Sequence, residues 1–246
     1  PGAPRVWDEA DDNASFRLEF GDKGAVHQKF AGAAHVSRML VHYPRASANS
    51  MEPRSALAYR DATDGRYTIY SSSQGVYRLR EVLSEVLGIA LLNLRAIAMD
   101  VGGAFGMKGQ VYPEEPLVMW ASRKLNRPVK WTADRSESLA SDMHGRHQIA
   151  EAELALDRDG RILAFRSSVT IDVGAYLSHS GGVPPHNAGV SYPGTYHVPL
   201  IHAAVCATFT HTTQLGPYRG SGKPEASFVL ERLIEKAAHE MGIDAI

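Results

Sequence analysis

Apolar residues recur along the chain at two spacings. Val76, Leu79, Leu83 and Val86 fall at helical intervals, and Gly88 follows where a glycine C-cap belongs, which predicts an amphipathic helix over 76–87. A second helix is predicted to open at Pro113, with Glu114 and Glu115 in the first turn, where the helix dipole favours acidic groups. Leu117, Trp120, Ala121 and Leu125 are its expected buried face. A third runs from Pro224 to about Met241 and buries Ala226, Val229, Leu230, Leu233 and Ala237. Two Asp-Gly turns close predicted hairpins, Ser55–Asp61 with Arg66–Ser71 and Ala150–Leu156 with Arg161–Asp172. Further strands are expected over Leu94–Val101, Val129–Thr132 and Leu200–Phe209. The stretch SHSGGVPPHNAGVSYPG, 178–194, is rich in turn formers and reads as a long loop.

Strands and helices alternate irregularly, with hairpins between them. This pattern predicts an α+β fold of mixed β-sheets with helices packed on a face. The expected division is a linker with leading strands over 1–34, a first α/β unit over 35–135, and a second unit over 136–246.

Composition narrows the function classes. At 246 residues and 44% hydrophobic, the chain can build a large core. With 26 basic against 27 acidic residues, it has no charge footprint for nucleic acid or an anionic membrane. One cysteine, Cys206, excludes an internal disulfide framework and a Cys-rich metal site; it fits a reducing compartment, with the cytoplasm as the default expectation. In the apolar run IHAAVCATF it reads as a small buried hydrophobe. The sequence shows neither a membrane-length apolar run nor a signal-peptide pattern, and both ends read as cut from something longer. Scattered histidines, with only His144 and His147 close in sequence, do not suggest a zinc site.

Chemistry concentrates in two glycine-rich turns, each between a strand and a helix: DVGGAFGMKG at 100–109, and RGSG at 219–222. Neither fits a phosphate-loop template. Lys108 is followed by Gly109 rather than a hydroxyl residue, and Glu225 stands where a dinucleotide fingerprint needs its third glycine. Backbone N–H groups at such turns can hold an anion, with Arg219 adding charge; equally, they can be plain turns. From the residues alone, Gln74 reads as a polar residue at a helix start, Phe105 as core and Arg219 as a surface charge.

Several stretches, in this order, resemble the molybdenum-binding large subunit of the xanthine oxidase family, closest to its carbon monoxide dehydrogenase-like branch. They are YSSSQGVYRLREVLSEVLGI, RAIAMDVGGAFGMKG, VKWTADRSESLASDMHGR, DGRILAFRSSVTIDVGAY and GPYRGSGKPEASFVLERLIEKAAHEMGID. The resemblance implies the first half of a molybdenum-cofactor-binding domain, carrying molybdopterin, expected as the cytosine dinucleotide. It implies that Gln74, Gly103, Phe105, Gly106, Arg219 and Gly220 bind the cofactor. Gln74, Phe105 and Arg219 would lie near the metal without ligating it, in one shared pocket.

The implied reaction is hydroxylation of an electron-poor carbon with oxygen from water. The family's glutamate base lies downstream and has no counterpart here, so no catalytic residue is assigned. Glu114 and Glu115 are set aside as ordinary helix-start residues. Implied partners are the rest of the large subunit, an iron–sulfur small subunit and an FAD-binding medium subunit. The isolated chain is expected to be inactive.

Departures from the pattern bear on substrate. Gly220 stands where carbon monoxide-oxidising members hold copper with a cysteine, and copper(I) needs soft sulfur ligands. Gly109 and Ser221 replace the purine-contacting residues of xanthine-oxidising members. An aldehyde or another N-heterocycle is the expected substrate. Two alternatives stand: a non-catalytic cofactor-assembly module, and a free-standing phosphate- or nucleotide-binding domain.

Overall fold

Long alternating strands build the larger part of the protein. In the computed structural model, which describes residues 2–10 and 12–244, the chain divides into two units. One is Pro1–Ala46 with His144–Ile246; the other is Ser47–Met143.

In the discontinuous unit, β1 (Ala14–Gly21), β2 (His35–Ser47), β7 (His144–Leu156), β8 (Ile162–Gly174) and β9 (Ile201–Phe209) form one sheet in the order β1-β9-β8-β7-β2. The remaining strands, β3 to β6, belong to the other unit. β7 and β8 are the predicted antiparallel hairpin, while β8 and β9 run parallel. A parallel pair needs a crossover, and α5 (Val183–Val190) lies within it. The sequence reading treated this stretch as loop; the pattern SHSGGVPPHNAG hides a short helix because its prolines sit in the first turn, where no N–H is needed.

Every second residue of the hairpin, Ala150, Ala152 and Leu154 with Phe165, Val169 and Ile171, enters a core closed by α6 (Lys223–Met241). The predicted α6 face, Ala226, Val229, Leu230, Leu233 and Ala237, is buried, and Gly242 caps the helix in the left-handed conformation. The stretch expected to be linker and leading strands also contains α1 (Lys23–Ala31), capped by the Asp22 carboxylate, which accepts from Ala25 N–H. Cys206 is half-buried on β9 rather than fully enclosed.

In the continuous unit, β3 (Ser55–Arg60), β4 (Tyr67–Ser71), β5 (Leu94–Ile97) and β6 (Val129–Thr132) form a sheet in the order β5-β4-β3-β6. Helices α2 (Val76–Leu87) and α3 (Glu114–Leu125) pack on it through Leu79, Leu83, Val118 and Met119 against Ala56, Ala58 and Ile69. The α2 prediction and its glycine cap hold. β5 stops at Ile97, short of the expected Val101, because the chain leaves the sheet to form the glycine loop.

The expected face of α3 is wrong: Leu117, Trp120 and Leu125 are exposed, and Glu115, Val118, Met119 and Ser122 face inward. Glu115 sets the rotation. Its carboxylate accepts from Ser71 Oγ at 2.6 Å and from Tyr112 N–H at 2.9 Å, and the small Ala56 and Ala58 beneath leave room for Met119.

Candidate functional site

The first glycine loop follows β5. Gly103 (φ 98°) and Gly106 (φ 97°) adopt left-handed geometry that L side chains avoid, and Phe105 between them is also left-handed at φ 53°. A bulky residue held there costs about 1–3 kcal/mol, and such residues concentrate at functional sites. The Phe105 ring is exposed rather than in the core. A Cβ on Gly103 would lie 2.9 Å from that ring, which could yield, so it is the φ of 98° that favours glycine here.

Gln74 sits just before α2 and belongs to this bend. Gly106 N–H donates to its Oε1 at 2.9 Å, and its own N–H donates to the Lys108 carbonyl at 2.9 Å. Because a carboxamide accepts only through oxygen, the Gly106 contact fixes the amide orientation and leaves Nε2 as the donating end. Gly109 lies alongside, its would-be Cβ 3.9 Å from Gln74 Oε1. Gln74, Gly103, Phe105, Gly106 and Gly109 are therefore gathered in one place.

One residue that no sequence motif marks, Glu52, holds this loop together with Lys108. Glu52 Oε2 accepts from Gly102 N–H at 2.9 Å and from Lys108 Nζ at 2.8 Å, and Glu52 N–H donates back to the Gly102 carbonyl. Burial works to raise the Glu52 carboxyl, but the Lys108 ammonium and the Gly102 N–H outweigh it and hold the group below its ordinary value. One carboxylate thus ties the loop's first glycine to its buried lysine. The sequence signal was faint: a lysine among glycines invites a phosphate reading, yet Lys108 is 1% exposed.

The carboxylates set aside from the sequence are committed to structure. Glu114 pairs with Arg54 at 2.7 Å, and Arg54 also holds Asp142 at 2.6 Å beneath the Tyr112 ring, 3.8 Å from its centroid. Burial raises the Glu115 carboxyl.

In the other unit, the second loop carries Arg219, Gly220 (φ 93°), Ser221 (φ 49°) and Gly222 (φ 88°) into α6. Arg219 is exposed. Gly222 is required, since a Cβ would lie 2.3 Å from the Pro184 carbonyl oxygen. Asn187 Nδ2 donates to the Ser221 carbonyl at 2.8 Å, while Ser221 Oγ is buried without a partner. Near the start of β7, Arg146 (φ 66°) and His147 (φ 50°) are both left-handed. His147 Nδ1 lies 2.6 Å from Asp172 Oδ2, and Asp172 also accepts from Gly174 N–H, Thr210 Oγ1 and Arg45. Burial works to raise Asp172, but these donors outweigh it and its carboxyl is held low. Among the described residues, no group of three or more His, Cys, Asp or Glu side chains gathers where it could hold a metal ion, and no helix is long and apolar enough to cross a membrane.

Molybdopterin presents phosphate and polar ring atoms, and its metal carries oxygen and sulfur. The residues present fit that group. A left-handed glycine bend lets the backbone approach closely and the Gln74 amide supplies a donor beside it; in the other unit, the exposed Arg219 carries a charge.

Known proteins resemble this chain along nearly its whole length. The chain is 34% identical over 233 residues to the 6-hydroxypseudooxynicotine dehydrogenase complex subunit gamma of Paenarthrobacter nicotinovorans, covering 94% of this chain and 29% of that protein. It is 33% identical to the carbon monoxide dehydrogenase large chain of Afipia carboxidovorans, covering 95% and 29%. The crystal structure of quinoline 2-oxidoreductase from Pseudomonas putida 86 superposes with a TM-score of 0.92 at 31% identity, covering 99% of this chain and 31% of that one. The chain thus spans less than a third of the length of these relatives. Residues 6–246 match the molybdopterin cofactor-binding domain, and the chain belongs to that family.

Proposed function

We propose that this chain is the cofactor-binding portion of a molybdenum hydroxylase large subunit that oxidises an N-heterocycle or an aldehyde with oxygen taken from water. The observation that carries this reading is the Gln74–Gly106 hydrogen bond. It commits the amide oxygen of the exposed Gln74 and leaves Nε2 as the donating end, beside a backbone bent between two left-handed glycines. Bound molybdopterin would supply the redox and oxygen-transfer chemistry.

The chain's own residues position. Gln74 donates to a polar ligand of the cofactor, Gly103 and Gly106 admit its close approach, and Arg219 with Gly220 offers charge and a compact backbone from the second loop. Gly109 and Ser221 leave room for substrate. Gly220 argues against carbon monoxide as that substrate, because no thiolate is available to hold copper. The names of two relatives, a nicotine-derivative dehydrogenase and a quinoline oxidoreductase, favour a nitrogen heterocycle over an aldehyde.

Cytosine dinucleotide is the proposed cofactor form. Iron–sulfur and FAD-bearing subunits are the proposed electron acceptors, in a cytoplasmic complex. The general base belongs to sequence outside this chain, which is inactive alone.

The test is to express the complete gene with its neighbours and offer N-heterocycles and aldehydes in water enriched in the heavy oxygen isotope. Isotope in the hydroxylated product supports the reading. Oxidation with oxygen drawn from dioxygen instead would overturn it. Saturable micromolar binding of free nucleotides to this chain would favour the phosphate-binding alternative.

A further inference from the structure

β7 starts in a way ordinary strands do not. His144 is followed by Gly145, whose Cβ, if it had one, would lie 2.2 Å from Tyr218 Cβ. Arg146 and His147 then take left-handed conformations in succession. Non-glycine residues hold such geometry only when their surroundings over-determine it. His147 is held by Asp172. Arg146 is held by the second glycine loop, and it holds that loop in return.

Arg146 meets the loop and its flanks at three places. One guanidinium nitrogen donates to the Arg219 carbonyl at 2.9 Å, and another lies 2.7 Å from the Glu225 carboxylate in the first turn of α6. The guanidinium also lies over the Tyr218 ring, 4.8 Å from its centroid. Glu225 is 3% exposed, and Tyr43 Oη donates to its carbonyl, so that end of the tether is rigid. Between these points the chain makes its tight passage through Gly220, Ser221 and Gly222.

We infer that Arg146 is the positioning residue of the second loop: by clamping the Arg219 carbonyl against α6, it fixes the main chain that presents Arg219 and Ser221. The clamp rests on the proposed function for its purpose, but its geometry stands independently of any cofactor. A planar guanidinium is required, because it donates to a carbonyl, pairs its charge with a carboxylate and lies over a ring face at once. A lysine ammonium, a point charge, satisfies Glu225 alone.

The conservative variant decides the matter. In Arg146→Lys, backbone amides of the stretch from Tyr218 to Gly222 should exchange hydrogen roughly tenfold faster, the factor that losing one charge-assisted hydrogen bond implies, while amides of β8 keep their rates. Glu225→Gln, which retains the guanidinium, should leave the loop slow. Arg146→Gln with Glu225→Gln removes the pair without stranding a buried charge, and should reproduce the fast loop even if Arg146→Lys folds poorly.

Loop exchange unchanged in both Arg146 variants, or loop and β8 loosened equally, would overturn the clamp and reduce Arg146 to a tie between strand and helix. In the complete enzyme, Arg146→Lys should lower kcat with molybdenum content unchanged. A fast loop in a gene product that never carries molybdenum would keep the clamp and remove the proposed function, so the two can fail separately.

Discussion

The Lys108 ammonium and the Glu52 carboxylate meet at 2.8 Å, with the lysine side chain 1% exposed and the glutamate 35%. The pair is lopsided: one charge is fully withdrawn from water and the other is not. Removing the partner of a buried charge costs more than removing the buried charge itself. Glu52→Ala should therefore destabilise the chain by about 3 kcal/mol or more, whereas Lys108→Met, an unbranched apolar replacement, should change stability by about 1 kcal/mol or less. Chemical denaturation of the two variants measures both.

Gln74 should be read through its oxygen. Gln74→Glu keeps the acceptor for Gly106 N–H and so keeps the bend, but it exchanges the Nε2 donor for an acceptor. Gln74→Leu loses both. Amide exchange at Gly106 should stay slow in the first variant and rise several-fold in the second, by about 0.5–1.5 kcal/mol of local stability. In the complete enzyme both should impair turnover, which would separate the loop's shape from the donor's role.

The glycines are unequal. Gly222 is left-handed with the Pro184 carbonyl oxygen 2.3 Å from its would-be Cβ, while Gly88 is left-handed in open space. Gly88→Ala should cost about 1 kcal/mol for backbone conformation alone, and Gly222→Ala about 2 kcal/mol or more for conformation plus collision. Paired thermal melts would show the ordering; equal losses would contradict it.

Acid should find Asp172. Its folded carboxyl lies below the unfolded value of about 3.9, so its contribution is complete above that value and disappears as pH falls through the folded one. Asp172→Asn removes this contribution. The urea midpoint of the variant should be lower at neutral pH, and the gap should narrow as the pH falls below the unfolded value of about 3.9. A gap that widened on acidification would contradict the assignment.

Much of this fold was legible where one signal ruled. The Val76–Leu87 helix, its Gly88 cap, both Asp-Gly hairpins and the buried stripe of α6 followed from periodicity and turn chemistry alone. α3 was not legible, because it carries two apolar stripes and a buried glutamate decides between them through partners on β4 and before the helix. Accordingly, Trp120→Gln should shift stability by about 0.5 kcal/mol at most, against about 2–5 kcal/mol for Met119→Ala. Of the candidate site, the glycine loop and Gln74 could be named from the family resemblance. Glu52 and Arg146 could not, since neither a carboxylate fifty residues upstream nor a left-handed arginine leaves a periodic trace.

The central claim is that these bends serve molybdopterin. The direct test is to purify the product of the complete gene with its neighbours from molybdate-supplied cells and to assay metal and released pterin together. The account predicts molybdenum and pterin in equal molar amounts, stoichiometric with the chain and both diminished by Gln74→Leu. An active preparation free of molybdenum and pterin would contradict it.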